Sequence, residues 1–212
     1  KRVFHSSYHE LAYLHPENFT PCPEVLDMYG LKLRKYIIIR LSALDAHHDW
    51  GKKGISSSIY NKIKNLLTEY DLVESVESKI SFQFKHWHMH DLIAYAKMVI
   101  SDSQTTTAEA AVLGVPSIRY NSFVGRISYL EELEHKYELT YGIRTSNPNQ
   151  LFKKIYQLLD IKDLKGVWGK KRKKMLSEKI DVNEFIIWFI ENYPESIKKI
   201  KKEYHVKRTG TS

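Results

Sequence analysis

The stretch KMVISDSQTTTAEAAVLGVPSIRY, Lys97–Tyr120, decides the fold that we predict for this chain. Its run Met98–Ile100 is continuously apolar, which is typical of a strand buried on both faces of a parallel sheet. Asp102 and Ser103 then supply N-cap residues for a helix, and Gly114 is the residue type expected where a helix ends in the left-handed conformation. Because the residues after Gly114 favour a second strand, the stretch predicts a compact βαβ unit.

The amino end of this helix is the first candidate binding site. A helix that begins just past the carboxyl end of a sheet strand directs free N–H groups and the positive end of its dipole toward the crevice, which suits phosphate. The alternative is that Asp102, Ser103 and the threonines only cap the helix. Asp102 would repel phosphate unless it caps the helix and faces inward. Glu109, two turns on, is expected either to face solvent or to bind hydroxyl groups at the crevice rim.

The segment SDSQTTTAEAAVLGVPSIR resembles SDSGG-x-x-EEA-x-x-x-G-x-P of the C-terminal domain of non-hydrolysing UDP-N-acetylglucosamine 2-epimerases. It resembles more closely an uncharacterised family beside them, whose members carry DSQT-x-x-AEAAVLG-x-P, YHELAYLHP and AHHD; this likeness covers about 7–194. Both are similar to the B-type glycosyltransferases, which hold a nucleotide sugar between two Rossmann-like domains. The resemblance implies an α/β fold, a Rossmann-like parallel sheet with helices on both faces, and a C-terminal helical extension.

The resemblance also implies roles for the residues of the motif. Ser103 and the backbone of Gln104 and Thr105 fall where the epimerases hold the diphosphate. Glu109 falls where a glutamate binds the ribose hydroxyls. Gln104 and Thr105 replace the paired glycines of the epimerase turn, and their side chains limit how closely a phosphate approaches the backbone.

Two other loops at the presumed carboxyl edge of the sheet add candidate anion contacts. The strand YIIIRL, Tyr36–Leu41, leads into SALDAHHDWGKKG, where His47 and His48 are candidate contacts to the diphosphate. In the loop NSFVGR, the guanidinium of Arg126 offers a fork for phosphate. A general base from His47, His48 or Asp49 is a hypothesis, and the catalytic residues stay unknown.

The segment HWHMHD at 86–91 leaves several roles open. Together with HHD at 47–49 it raises the question of a metal site, but neither cluster has the spacing of HExxH and no cysteine cluster supports one, so we predict no metal. Trp87 could stack on a nucleobase, Asp91 could cap the helix that follows, and a histidine could contact a phosphate or a base. The family resemblance favours His90 and Asp91 near the base-binding side of the cleft.

Four regions are predicted along the chain. Residues 1–30 contain three of the six prolines and favour an extended linker or edge segment. We assign 31–162 to a Rossmann-like nucleotide-sugar-binding domain, 163–205 to C-terminal helices and 206–212 to a disordered tail. At 212 residues the chain is short for a complete B-type transferase, so we expect the C-terminal half of a longer protein. Its partner would be the missing N-terminal Rossmann-like domain.

Composition bears on nucleic-acid binding, on membrane association and on location in the cell. The net charge of +8 suggests nucleic-acid binding as a minor alternative. Much of the excess positive charge, however, lies in KKRKK at 170–174 and KKIKK at 198–202, which lack the interleaved aromatic residues that stack on bases. These runs favour solvated helix faces, a patch for anionic lipid head groups or a surface that faces the missing domain. The single cysteine, Cys22, and the lack of a signal peptide or a membrane-spanning apolar run favour a cytoplasmic location.

We therefore expect the nucleotide-sugar-binding domain of a B-type glycosyltransferase or a sugar-nucleotide epimerase, inactive on its own, in surface-polysaccharide or glycoconjugate biosynthesis. The expected substrate is a nucleoside diphosphate sugar of the UDP type, with no tightly bound cofactor. One alternative is a non-catalytic binding or assembly domain that docks to an anionic membrane or polyanion through its basic helices. Another is metal-dependent hydrolysis through the histidine clusters. The base, the sugar, the reaction and the oligomeric state, a homodimer included, stay open.

Overall fold

A parallel sheet forms the centre of the molecule. The computed structural model describes residues 3, 5–42, 54–76 and 84–200. Within these residues the sheet has five strands in the order β2-β1-β3-β4-β5, and every neighbouring pair is parallel. The strands are β1 (Tyr36–Leu41), β2 (Asp71–Val76), β3 (Val99–Ser101), β4 (Ser117–Tyr120) and β5 (Thr140–Ile143). The predicted Rossmann-like α/β fold is thereby confirmed.

Helices connect the strands and continue beyond the last one. They are α1 (Leu11–Leu14), α2 (Glu24–Met28), α3 (Ser57–Leu66), α4 (Met89–Tyr95), α5 (Gln104–Val112), α6 (Ser128–His135), α7 (Pro148–Leu159), α8 (Leu164–Glu178) and α9 (Val182–Glu191). A 3₁₀ turn at His86–His88 precedes α4, and 195–200 are helical. The predicted C-terminal helical extension is therefore present.

The continuous apolar runs lie where a parallel sheet needs them. Ile37, Ile38 and Ile39 of β1 are fully buried, as are Val99 and Ile100 of β3. Burying a side chain of this size contributes about 1.5–3 kcal/mol, so these two strands supply much of the core. The pattern without alternation arises because helices cover both faces of the sheet.

Helix α5 ends as the sequence predicts. Gly114 has a φ of +73°, a left-handed conformation that a glycine adopts without steric cost. The N–H of Gly114 donates to the carbonyl of Ala111, and the N–H of Val115 donates to that of Ala110. This pair of bonds is the Schellman arrangement, which satisfies the last carbonyls of a helix and turns the chain sharply into β4.

The amino-terminal segment differs from the extended path that its prolines favour. It forms the short helices α1 and α2, and Leu11 and Leu14 are buried against the domain core. Pro16 follows α1 and Pro23 occupies the N-cap position of α2, so both prolines lie at helix ends, where they remove no intrahelical hydrogen bond. Burial of the leucines outweighs the local preference. The domain boundaries stay a prediction.

The C-terminal helices begin as expected, with one difference in capping. Asp181 caps α9 by accepting from the N–H groups of Asn183 and Glu184 at 2.7 and 3.1 Å. Asn147 precedes Pro148 at the start of α7, but its side chain makes no capping bond. The predicted tail at 206–212 lies outside the described residues. Among the helices described, none has the length and apolar content needed to cross a lipid bilayer.

Candidate functional site

Helix α5 begins directly after β3, the central strand, at the carboxyl edge of the sheet. The Ser103 hydroxyl accepts from the N–H of Thr106 at 3.4 Å, and the Ser103 N–H donates to the Ser101 hydroxyl at 2.8 Å. Thr107 donates its hydroxyl back to the Ser103 carbonyl at 2.7 Å. Ser103 is therefore the N-cap of α5, and the exposed Thr105 lies in the first turn.

Asp102 faces into the protein. Its Oδ1 accepts from the backbone N–H and the hydroxyl of Ser42 at 2.6 and 2.8 Å, and its Oδ2 accepts from the N–H of Ile55 at 3.2 Å. Burial raises the pKa of this carboxyl, while the hydrogen bonds from Ser42 and Ile55 act in the opposite direction. Asp102 does not cap α5, and its carboxylate lies among protein donors instead of facing an anion in the crevice.

Glu109 lies at the junction of α1, α4 and α5. Its Oε1 accepts from the hydroxyl of Tyr13 at 3.2 Å and lies 3.0 Å from Nε2 of His90. The Glu109 side chain is only 12% exposed and that of His90 is 31% exposed. Within the described residues, Oε2 of Glu109 accepts no hydrogen bond from the protein. The carboxylate is thus fixed through one oxygen, Oε1.

Two predicted site residues, Glu109 and His90, are therefore in direct contact. The contact links α4 to α5 and arises because both helices begin at the carboxyl edge of the sheet. Tyr13 completes this group from α1, and its ring also packs against the ring of His90 at 5.5 Å between centroids. The roles of Glu109 and His90 in ligand binding stay predictions.

The sequence did not identify Tyr13 and Tyr129 as residues near the candidate site. Glu10 is buried beside this group, and burial raises its pKa, with the nearby charge of Glu109 adding to the effect. Burial is the main reason that the pKa of Tyr129 rises to about 12, and the nearby charge of Glu10 adds to the effect. For Tyr13, the available signal was its spacing from Glu10: the N-cap residue of α1 and Tyr13 within it are three residues apart, which places both on one face.

The other predicted site residues that the structure describes are not part of the group formed by Glu109, His90 and Tyr13. Arg126 is exposed after β4, and its guanidinium forms no ion pair within the described residues. His47 and His48 lie outside those residues. Asp91 does not cap α4: it lies in the first turn and accepts from the N–H of Cys22 at 2.7 Å, which fastens the amino-terminal segment. Trp87 is 69% exposed. No group of three metal-ligating side chains occurs in the part of the chain that the structure describes.

No family model matches the sequence, and no curated protein matches it either. Three solved structures illustrate the likeness in fold. The spinosyn forosaminyltransferase SpnP has a TM-score of 0.51 at 14% identity over 82% of this chain and 50% of its own. The glycosyltransferase VinC in complex with DTDP has a TM-score of 0.51 at 12% identity over 88% and 46%.

A putative UDP-N-acetylglucosamine 2-epimerase from Listeria monocytogenes has a TM-score of 0.50 at 15% identity, over 84% of this chain and 49% of its own. The chain thus spans about half the length of the solved structures that it matches. At these identities the likeness shows the fold. The chain resembles one domain of the B-type glycosyltransferases and of the UDP-N-acetylglucosamine 2-epimerases.

Proposed function

We propose that this chain is the nucleotide-sugar-binding domain of a two-domain glycosyltransferase or sugar-nucleotide epimerase. The observation that carries the proposal is the arrangement of Glu109, whose Oε1 is held by Tyr13 and His90 while Oε2 has no partner among the described residues. A carboxylate fixed in this way accepts hydrogen bonds from sugar hydroxyls without reorganising. Among the structural neighbours, one is a glycosyltransferase in complex with DTDP and another is a putative UDP-N-acetylglucosamine 2-epimerase, which supports a nucleotide ligand.

The first turn of α5 would bind the diphosphate. Of its N–H groups, that of Ser103 donates to Ser101 and that of Thr106 donates to Ser103. The N–H groups of Gln104 and Thr105 have no partner within the described residues, and helix geometry supplies none. Two adjacent N–H groups at the positive end of a helix form an anion site of the kind that phosphate uses.

Glu109 would bind the ribose hydroxyls one turn further into the crevice. Tyr13 and His90 orient the carboxylate, since both contact the same oxygen. His47, His48 and Arg126 are proposed to add positive charge or hydrogen-bond donors around the diphosphate. This chain would therefore bind and orient the nucleotide, and the second domain would supply the reacting groups. We further propose a UDP-type donor, a cytoplasmic location and a role in surface-polysaccharide or glycoconjugate synthesis.

The test is a calorimetric titration of the chain with UDP, CDP, GDP and TDP, supported by thermal shift. We expect one nucleoside diphosphate to bind saturably. Glu109→Gln keeps the shape of the side chain but replaces an ionised acceptor, so affinity should fall by about tenfold, the value of one charge-assisted hydrogen bond. Glu69→Gln, at an exposed position before β2, is the matched control and should leave affinity unchanged.

Equal affinity of Glu109→Gln and the parent chain would remove Glu109 from the site. If no nucleoside diphosphate binds, the titration is repeated on a protein that also carries an N-terminal Rossmann-like domain. Silence there as well would reject the proposed function.

A further inference from the structure

A second concave feature lies at the opposite edge of the sheet, where the strands begin. A cavity of about 170 Å³ is lined by the basic residues Arg34, Lys97, Lys162 and Lys165. Arg34 precedes β1, Lys97 precedes β3, and the other two lysines lie on either side of the start of α8. Four cations from three separate parts of the sequence therefore converge on one space.

We call this space the basic cavity, and within the described part of the chain no ion pair neutralises its charges. None of its four cations forms an ion pair with another described residue. The one carboxylate in the lining, that of Asp163, caps α8 by accepting from the N–H of Gly166 at 2.9 Å. Burial lowers the pKa of Lys97, and the nearby charges of Arg34 and Lys35 lower it further. Lys97 therefore lies among positive charges in a partly desolvated position.

Arg34 is the most firmly held member of the basic cavity. Its backbone has a φ of +59°, which is uncommon for a residue with a side chain, and its N–H donates to the carbonyl of Tyr95 at 3.1 Å. Nη1 donates to the carbonyl of Ala96, while the buried Nε has no hydrogen-bond partner among the described residues. A buried guanidinium N–H without an acceptor is unfavourable, and an acceptor from a ligand would remove that cost.

We propose that the basic cavity binds a small phosphate-bearing anion. A water molecule occupies about 30 Å³ in the liquid, so the cavity admits a tetrahedral oxyanion with part of its hydration shell. Phosphate carries the charge and the acceptor oxygens that several lysines and a guanidinium bind well. A concave space lined by four cations favours a compact anion over an extended polyanion. The site is distinct from the donor site proposed above, because the two lie at opposite ends of the strands.

The test is titration of the ¹⁵N-labelled 212-residue chain with inorganic phosphate, at ionic strength held constant with sodium chloride. We expect saturable shifts in the amide resonances of Lys97, Gly114 and Leu164, which line the cavity. The double variant Lys162→Gln/Lys165→Gln should weaken binding by about tenfold or more, since it removes two charged donors. Lys62→Gln/Lys64→Gln on α3 changes the net charge equally at exposed positions and is the matched control.

The proposal is overturned if both double variants weaken phosphate binding to the same extent, because the effect would then come from net charge. It is also overturned if the shifts occur only around Ser103–Thr107, at the opposite edge of the sheet. That second result would support the proposed donor site, so the two proposals fail separately. A folded spectrum of each variant shows that lost binding is not lost structure.

Discussion

At the scale of single residues, the two carboxylates of the central motif serve different purposes because they face different surroundings. The carboxylate of Asp102 accepts hydrogen bonds from the backbone N–H groups of Ser42 and Ile55. Among the residues that the structure describes, the partners of Glu109 are side chains, and its Oε2 accepts no hydrogen bond. Asp102 is therefore structural: it joins the end of β1 to the chain that leads into α3.

We predict that Asp102→Ala lowers the free energy of unfolding by roughly 1–3 kcal/mol, because it leaves the buried Ile55 N–H without an acceptor. Urea denaturation measures this loss. Hydrogen exchange at the Ile55 amide should quicken in the same variant by more than the global loss of stability requires. Asp27→Ala, at an exposed position on α2, should change the stability by less than about 0.5 kcal/mol. A similar loss in both variants would contradict the structural role of Asp102.

At the scale of secondary structure elements, local signals predicted most of the domain. The ends of α5, its cap at Ser103 and the left-handed Gly114 follow from residue types whose preferences need no distant partner. The helices of the amino-terminal segment could not be predicted from local residue preferences. Leu11 and Leu14 are buried by contacts with elements far along the chain, and these contacts outweigh the prolines nearby.

The same limit applies to the candidate site. Glu109 and His90 were predicted from a motif and a family resemblance, but the contact between Glu109 and Tyr13 joins residues 96 positions apart. A pairing of that kind depends on how α1 packs against α5, and no local pattern encodes it. The direction of Asp102 has the same origin, since its partners are Ser42, which follows β1, and Ile55, which lies two residues before α3.

The end of α5 permits a direct test at this scale. A Cβ on Gly114 would lie 2.8 Å from Cδ of Arg172, whose Nε is held by the Val112 carbonyl at 2.7 Å. Gly114→Ala should therefore destabilise the domain by about 1–3 kcal/mol, through the left-handed backbone and the close contact. Gly169→Ala in α8 meets nothing within 4 Å and should stabilise by up to about 1 kcal/mol. Thermal and urea unfolding of both variants would show the opposite signs, and a neutral Gly114→Ala would contradict the geometry.

At the scale of the whole molecule, the parallel sheet separates two regions with different charge. The carboxyl ends of the strands lie beside Ser103 and Glu109, and the amino ends lie beside the basic cavity. A strand of six residues such as β1 is about 20 Å long, so one rigid sheet lies between the two proposed sites. Parallel pairing makes this separation inevitable, because every strand starts at one edge and ends at the other.

Binding at the two edges should consequently be independent. We predict that Lys162→Gln/Lys165→Gln leaves the affinity of the proposed donor site, the site that contains Glu109, for the nucleoside diphosphate within about twofold of that of the parent chain. The reason is that distant sites without shared partners behave additively. Glu109→Gln should leave phosphate binding at the basic cavity unchanged for the same reason. Calorimetry on the parent, both variants and their combination measures the coupling between the sites. A combined effect that differs from the product of the single effects by more than about threefold would mean that the sheet transmits a change between its edges, which a rigid core packed on both faces should not do.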